Sequence, residues 1–171
     1  MAEHHRIFLV GPMGAGKTTI GKRLAKALNL RFIDCDHELE RRTGVSVSVI
    51  FEIEGERGFR ERERRLIDEL TQLDDIVLAT GGGAVLEADN RTRLQSRGYT
   101  IYLYANVQDL LARTRNDTNR PLLKTPDRAQ RLREIVTARE PFYREVARLC
   151  VDTGAHSLGD IVTIIRTECA P

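Results

Sequence analysis

Residues 11–19 read "GPMGAGKTT" and fit the pattern G-x-x-x-x-G-K-[ST] through Gly11, Gly16, Lys17 and Thr18. Each part has a physical task. Glycines let backbone amides turn inward around phosphate oxygens with no side chain in the way. A helix that follows presents its N-terminal amides to the same anion. A lysine neutralises outer phosphates, and a hydroxyl at Thr18 suits a magnesium ion carried by them. The run "RIFLV" (6–10) before the loop and the helical pattern after it supply the required context. The chemistry indicated is nucleoside triphosphate binding with Mg2+.

The same loop serves switches, motors and kinases. A GTP switch carries N-K-x-D and commonly D-x-x-G, and neither occurs in this chain. A kinase of small molecules needs a second pocket, and several residues offer parts of one. Asp34 and Asp36, in "FIDCDHELE", stand at the carboxyl end of a candidate strand, where open α/β sheets bind ligands. Asp34 suits the water shell of a magnesium ion. Asp36 suits an attacking hydroxyl, and equally suits the cap of the short helix "HELERR" that ends near Gly44. Arg60, in "GFR", lies near a helix start, where a cation is disfavoured by the dipole. "TGGGAV" (80–85) has three successive glycines directly after a strand. Arg120 in "NRPLL" and Arg139 in "AREPFY" complete the set, although any one arginine taken singly is more often structural. We expect Pro141 to interrupt or bend the helix that holds Arg139.

These residues need a scaffold, and short apolar runs alternating with helical patterns point to βα units and a parallel sheet. Candidate strands are 6–10, 31–34, 75–80, 99–105 and 149–152. Candidate helices are 16–29, 57–73, 127–145 and 157–168, with Glu61 and Arg65 paired at i,i+4. The charge run "ERGFRERERR" reads as mostly solvated helix surface. Residues 45–54 place Val45, Val47, Val49, Phe51 and Ile53 at period two, which is a strand signal. Residues 113–128, irregular and interrupted by two prolines, read as a mobile flap.

Composition bounds the rest. The chain of 171 residues is one domain long, with a net charge of +2 that carries no nucleic-acid footprint. Its basic residues are 23 Arg against 4 Lys, a bias toward the side chain that grips carboxylates and phosphates in two-pronged fashion. Cys35, Cys150 and Cys169 have no metal-site or disulfide spacing and read as reduced spectators. His4 and His5 read as surface residues. No apolar run spans a bilayer and the opening residues are too polar for a signal peptide, so a cytoplasmic protein without membrane or nucleic-acid partners is expected.

Taken in order, "GPMGAGKTTIGKRLA", "FIDCDHELE", "FEIEGERGFRERE", "LATGGGAV", "NRPLL" and "REPFY" resemble the shikimate kinases among the P-loop NTPases. The resemblance implies a three-layer α/β P-loop fold with a central five-stranded parallel sheet flanked by helices, a helical substrate-binding region and a mobile lid. It implies one kinase domain over 1–171, with a core of 1–33, 62–112 and 127–171, a substrate-binding region at 34–61 and a lid at 113–126. It implies transfer of the γ-phosphate of ATP to the 3-hydroxyl of shikimate; nothing in the sequence demands more than a monomer. Gly14, Ala15, Gly16, Lys17, Thr18 and Thr19 would then contact ATP. Thr18 would bind Mg2+, with Asp34 near the metal through water. Asp36, Arg60, Gly82 and Arg139 would hold shikimate, Arg120 would reach the phosphates, and Lys17, Asp36 and Arg120 would act in catalysis. His156, in "TGAHSL", stands where many relatives carry a glutamine near the adenine. The likeness also favours helix over strand for 45–54.

Overall fold

The computed structural model describes residues 5–117 and 120–169. Five strands, β1 (Arg6–Val10), β2 (Arg31–Asp34), β3 (Ile76–Ala79), β4 (Tyr99–Tyr104) and β5 (Leu149–Asp152), form one sheet in the order β2-β3-β1-β4-β5. Every neighbouring pair is parallel, with Ile7 opposite Val77 and Tyr99 on the two sides of β1. The helices are α1 (Lys17–Leu28), α2 (Cys35–Thr43), α3 (Val47–Leu70), α4 (Ala88–Arg97), α5 (Val107–Thr114), α6 (Arg128–Val146) and α7 (Leu158–Cys169). Short 3-10 turns occupy Ala84–Leu86 and Pro121–Leu123.

Both faces of the sheet are covered, so its central strands are apolar throughout rather than alternating. Successive residues divide between two cores. Phe8, Val10, Leu78 and Tyr102 point to α2, α3, α4 and the C-terminal half of α6. Ile7, Leu9, Val77, Ile101 and Leu103 point to α1, α5, α7 and the N-terminal half of α6. Helix α6 thus contributes Leu132 and Ile135 to one core and Tyr143 and Val146 to the other. It runs unbroken through Pro141, so of the interruption or bend expected there the interruption does not occur.

The strand pattern of 45–54 yields to a helix. Ser46 caps it, its hydroxyl accepting from the Val49 amide at 3.3 Å, and Val47 and Ile50 face the core. The alternate positions Val45 and Ile53 are 40% and 77% exposed. Burial at i and i+3 is the helical period, and docking on α2 selects it over the local preference of valines for strand. At Gly55, with φ 73° and ψ 178°, the helix breaks and restarts, a conformation open to glycine. Helices α4 and α5 have no counterpart among the candidate helices above. Helix α4 buries only Asn90 and Leu94, too little apolar surface to make a periodic signal.

Candidate active site

Strand β1 ends at the centre of the sheet, and the 11–16 loop follows it. Gly11 lies so close to the Leu103 carbonyl that a Cβ would overlap it, and Gly14 and Gly16 have φ of 82° and 96°. Lys17 opens α1, and its ammonium curls over the loop to donate to the carbonyls of Gly11 at 2.5 Å and Pro12 at 2.9 Å. Burial, reinforced by Arg120, lowers its pKa to about 8 despite the raising influence of Asp36 and Asp34. The Ala15 amide donates to Pro12 within the loop, and its methyl is fully buried. Thr18 donates its hydroxyl proton to Asp34 at 2.6 Å.

The two aspartates at the end of β2 divide the tasks that spacing left open. Asp34 is the cap of α2, accepting from the His37 amide at 3.1 Å through one oxygen and from Thr18 through the other. Asp36 sits in the first turn of α2 and does not cap it. It faces the cleft instead, where burial and the neighbouring Asp34 raise its pKa while Arg120, Lys17 and Arg60 pull it down.

Opposite lies a pocket built from side chains of distant elements. Arg60, on the second segment of α3, is only 9% exposed. It donates to Glu63 at 2.9 Å and lies 3.4 Å from Glu56. Glu63 itself is 2% exposed. Arg139 projects from α6, and burial lowers its pKa, with Arg60 as a further repelling charge. Tyr143, one turn on, donates to the Gly82 carbonyl at 2.6 Å and fixes the glycine run. The glycines are there for space. A Cβ on Gly81 would lie 2.7 Å from a Glu63 oxygen and 3.0 Å from Asp36, and one on Gly83 would lie 2.5 Å from the guanidinium carbon of Arg60.

Two cavities result. One, bounded by Gly14, Gly16, Lys17, Thr18 and Thr19, lies over the glycine loop. The other is lined by Val47, Phe51, Phe59, Arg60, Glu63 and Arg139. Met13, Asp36, Gly81, Gly82 and Arg120 line both, and so form a common wall. Asp36, Arg60, Gly82, Arg120 and Arg139 are thereby brought together. His156 is not among them: it is exposed and lines neither cavity. Its loop is nevertheless anchored to the glycine loop through Arg113, which donates to the Gly14 carbonyl and the Thr153 hydroxyl, each at 3.0 Å.

Sequence reasoning overlooked Glu63, Arg113 and Tyr143. Glu63 had one usable signal, its i+3 spacing from Arg60, but the surrounding charge run masked it. Most of that run is solvated as expected, with Arg64 and Arg65 both paired to Glu61 on the surface.

Fold and cavities together make this a small-molecule kinase of the P-loop type. A triphosphate cradle on the switch point of a parallel sheet faces a second cavity furnished to seize an anion. The family model described as shikimate kinase matches residues 13–170. A shikimate kinase of Bordetella pertussis is 60% identical over 91% of this chain and 74% of its own length. One of Methylococcus capsulatus is 57% identical over 92% and 88%. The structure of a shikimate kinase from Acinetobacter baumannii in complex with shikimate superposes with a TM-score of 0.94 at 46% identity, covering 99% of this chain and 97% of that one. This chain belongs to the shikimate kinase family.

Proposed function

We propose that the protein transfers the γ-phosphoryl group of ATP to the 3-hydroxyl of shikimate, and that the residues around the common wall carry the reaction. The observation that supports this best is that wall itself: Asp36 and Arg120 line both the cavity over the glycine loop and the cavity holding Arg60 and Arg139. A phosphoryl group and a hydroxyl acceptor can meet only where the two spaces join.

Phosphoryl transfer asks for positioning and charge stabilisation rather than covalent help from the protein. The amides of Gly14, Ala15, Gly16, Lys17, Thr18 and Thr19 would surround the phosphate tail. Lys17 would leave its carbonyl partners for the outer phosphates, where its charge is worth most because the site is shielded from water. Arg120 would meet the same oxygens from the opposite side. Arg60 and Arg139 would hold the acceptor carboxylate with charge-assisted bonds, and the Gly82 backbone would bound its ring. Asp36 would accept a hydrogen bond from the attacking hydroxyl and take up its proton. His156 would approach the base at the far end of the nucleotide.

The donor set fits a magnesium ion. Thr18 and Asp34 present a hydroxyl and a carboxylate in contact with each other, hard oxygen donors of the kind Mg2+ takes alongside phosphate and water. Among the described residues no cluster of three or more histidine, cysteine or acidic groups competes as a metal site. Thr18 would hold the ion directly and Asp34 through water, and the ion would supply charge neutralisation on the phosphates.

We place the core at 1–33, 62–112 and 127–171, the acceptor region at 34–61 and the lid at 113–126. Arg120, Pro121 and Leu122 reach over the acceptor cavity, which supports the last assignment. Residues 118 and 119 of that lid lie outside the described residues, as does His4. A monomer suffices for this reading, because one chain supplies both cavities. No helix among the described residues is long and apolar enough to cross a membrane.

Mass spectrometry of shikimate incubated with the protein, ATP and Mg2+ tests the proposal, alongside gluconate and nucleoside monophosphates as competing acceptors. One added phosphate on shikimate alone is expected. Phosphate on another acceptor, or on none while ATP is consumed, would overturn it.

A further inference from the structure

The acceptor cavity holds a second carboxylate for which the transfer reaction as derived has no use. One oxygen of Glu63 accepts from Arg60 at 2.9 Å. The other is buried with no hydrogen-bond partner and lies against Gly81, beside Asp36. The side chain lines the cavity and is 2% exposed. An ionised carboxylate in that position leaves one oxygen without a donor and away from water, which is costly.

Several elements around Glu63 contribute charge. Its own helix brings Arg60 and Glu56, and these two lie 3.4 Å apart, so Arg60 already serves two carboxylates. Helix α2 brings Asp36 and Cys35, and α6 brings Arg139 and Tyr143. The Cys35 and Tyr143 protons are held firmly, since burial raises both groups. The wall shared with the other cavity brings Arg120, so three arginines face three carboxylates before any ligand arrives.

We infer that shikimate binding draws a proton from solvent onto the free oxygen of Glu63, so that acceptor affinity is linked to pH through this residue. The inference rests on the reading of Arg60 and Arg139 as the grip on the acceptor's carboxylate. A fourth carboxylate competes with Glu63 for Arg60 and adds one negative charge to a space poor in water. Protonating Glu63 cancels that charge and turns its unpartnered acceptor oxygen into a hydroxyl. No other bond is made or broken. The group is poised for this: burial first and Asp36 further push it up to about 7, against the pull of Arg60.

Calorimetric titration of the full chain with shikimate alone, at pH 7.0 in MOPS and in imidazole, counts the protons. Uptake on the order of 0.5 proton is expected, and shikimate binding about tenfold weaker at pH 8.5 than at pH 6, the size set by one unit of upward displacement on binding. Glu63→Gln should abolish both effects. Lys17, at about 8, titrates higher, so Lys17→Met should keep the uptake at pH 7.0. If Glu63→Gln does not melt cooperatively, Glu63→Asp, with its carboxyl drawn back from Gly81, should move the midpoint of the pH profile. Tight shikimate binding without proton uptake overturns the inference, as does uptake that persists in folded Glu63→Gln or a midpoint unmoved in Glu63→Asp. Absence of shikimate binding at every pH overturns the acceptor reading itself, and this inference with it.

Discussion

The two cavities are built by opposite means. The floor of the one over the glycine loop is backbone: a single stretch of chain between β1 and α1, with Lys17 and Thr18 at the helix start. The acceptor cavity is side chain: Asp36 from α2, Arg60 and Glu63 from α3, Arg139 from α6, with the 81–83 glycines clearing space between them. A backbone floor of this kind suits any phosphate chain, and its pattern is local even though Arg113 and Leu103 brace it. A side-chain cradle of this kind would select one acceptor, and it exists only once the whole domain has folded. Generic chemistry thus sits on local structure, and specificity sits on tertiary structure.

Removing the lysine should have the largest effect. Lys17→Ala is expected to cut turnover about 100- to 1000-fold or more, as for loss of a preorganised charge at a transition state. The fold should survive, because the ammonium bonds only to two loop carbonyls. Steady-state kinetics together with a thermal melt check both halves, and loss of the melt would show that the cradle is less self-contained than described.

Arg60→Ala comes next and tests the other cavity. Shikimate binding should weaken about 10- to 100-fold, in keeping with a charged hydrogen bond of roughly 1.5–3 kcal/mol, while ATP binding changes little. Unlike Lys17→Ala it should also destabilise the fold, because it strands Glu63 as a buried carboxylate without its cation. Adding Glu63→Gln should restore much of that stability without restoring binding. Equal losses for both ligands would erase the distinction between the cavities.

The smallest effect sharpens the boundary between them. Asp34 both caps α2 and bonds Thr18, so Asp34→Asn should keep the cap within a few tenths of a kcal/mol and raise the Mg2+ needed for activity. A magnesium titration of activity, set beside urea unfolding, separates the two roles.

The same division decided what could be read from sequence. The glycine loop was legible because its pattern is its mechanism, and the runs at 6–10, 31–34 and 149–152 coincide with β1, β2 and β5. The residues proposed for the acceptor were legible singly, as one aspartate, two arginines and a glycine run, and the family likeness grouped them. Burial was not legible. Arg60 and Glu63 have the same residue types as Arg64 and Glu61 nearby, yet the first pair is interior and the second is on the surface. Which turn of α3 faces inward depends on the break at Gly55, and alternating valines before it imitated a strand. Helix α4 escaped notice because its inward face consists of one leucine and one asparagine. His156 is exposed and lines neither cavity, so positional likeness alone supports its place beside the base.

Gly83 carries no functional group, yet Arg60 occupies the volume that its missing methyl leaves free. The proposed acceptor grip would therefore be dismantled by addition as readily as by deletion. An alanine at 83 would change neither charge nor polarity, and substitution tables would rate it mild. It would still evict a guanidinium from its seat, so in this fold the neutrality of a replacement has to be judged by what fills the space rather than by what is lost.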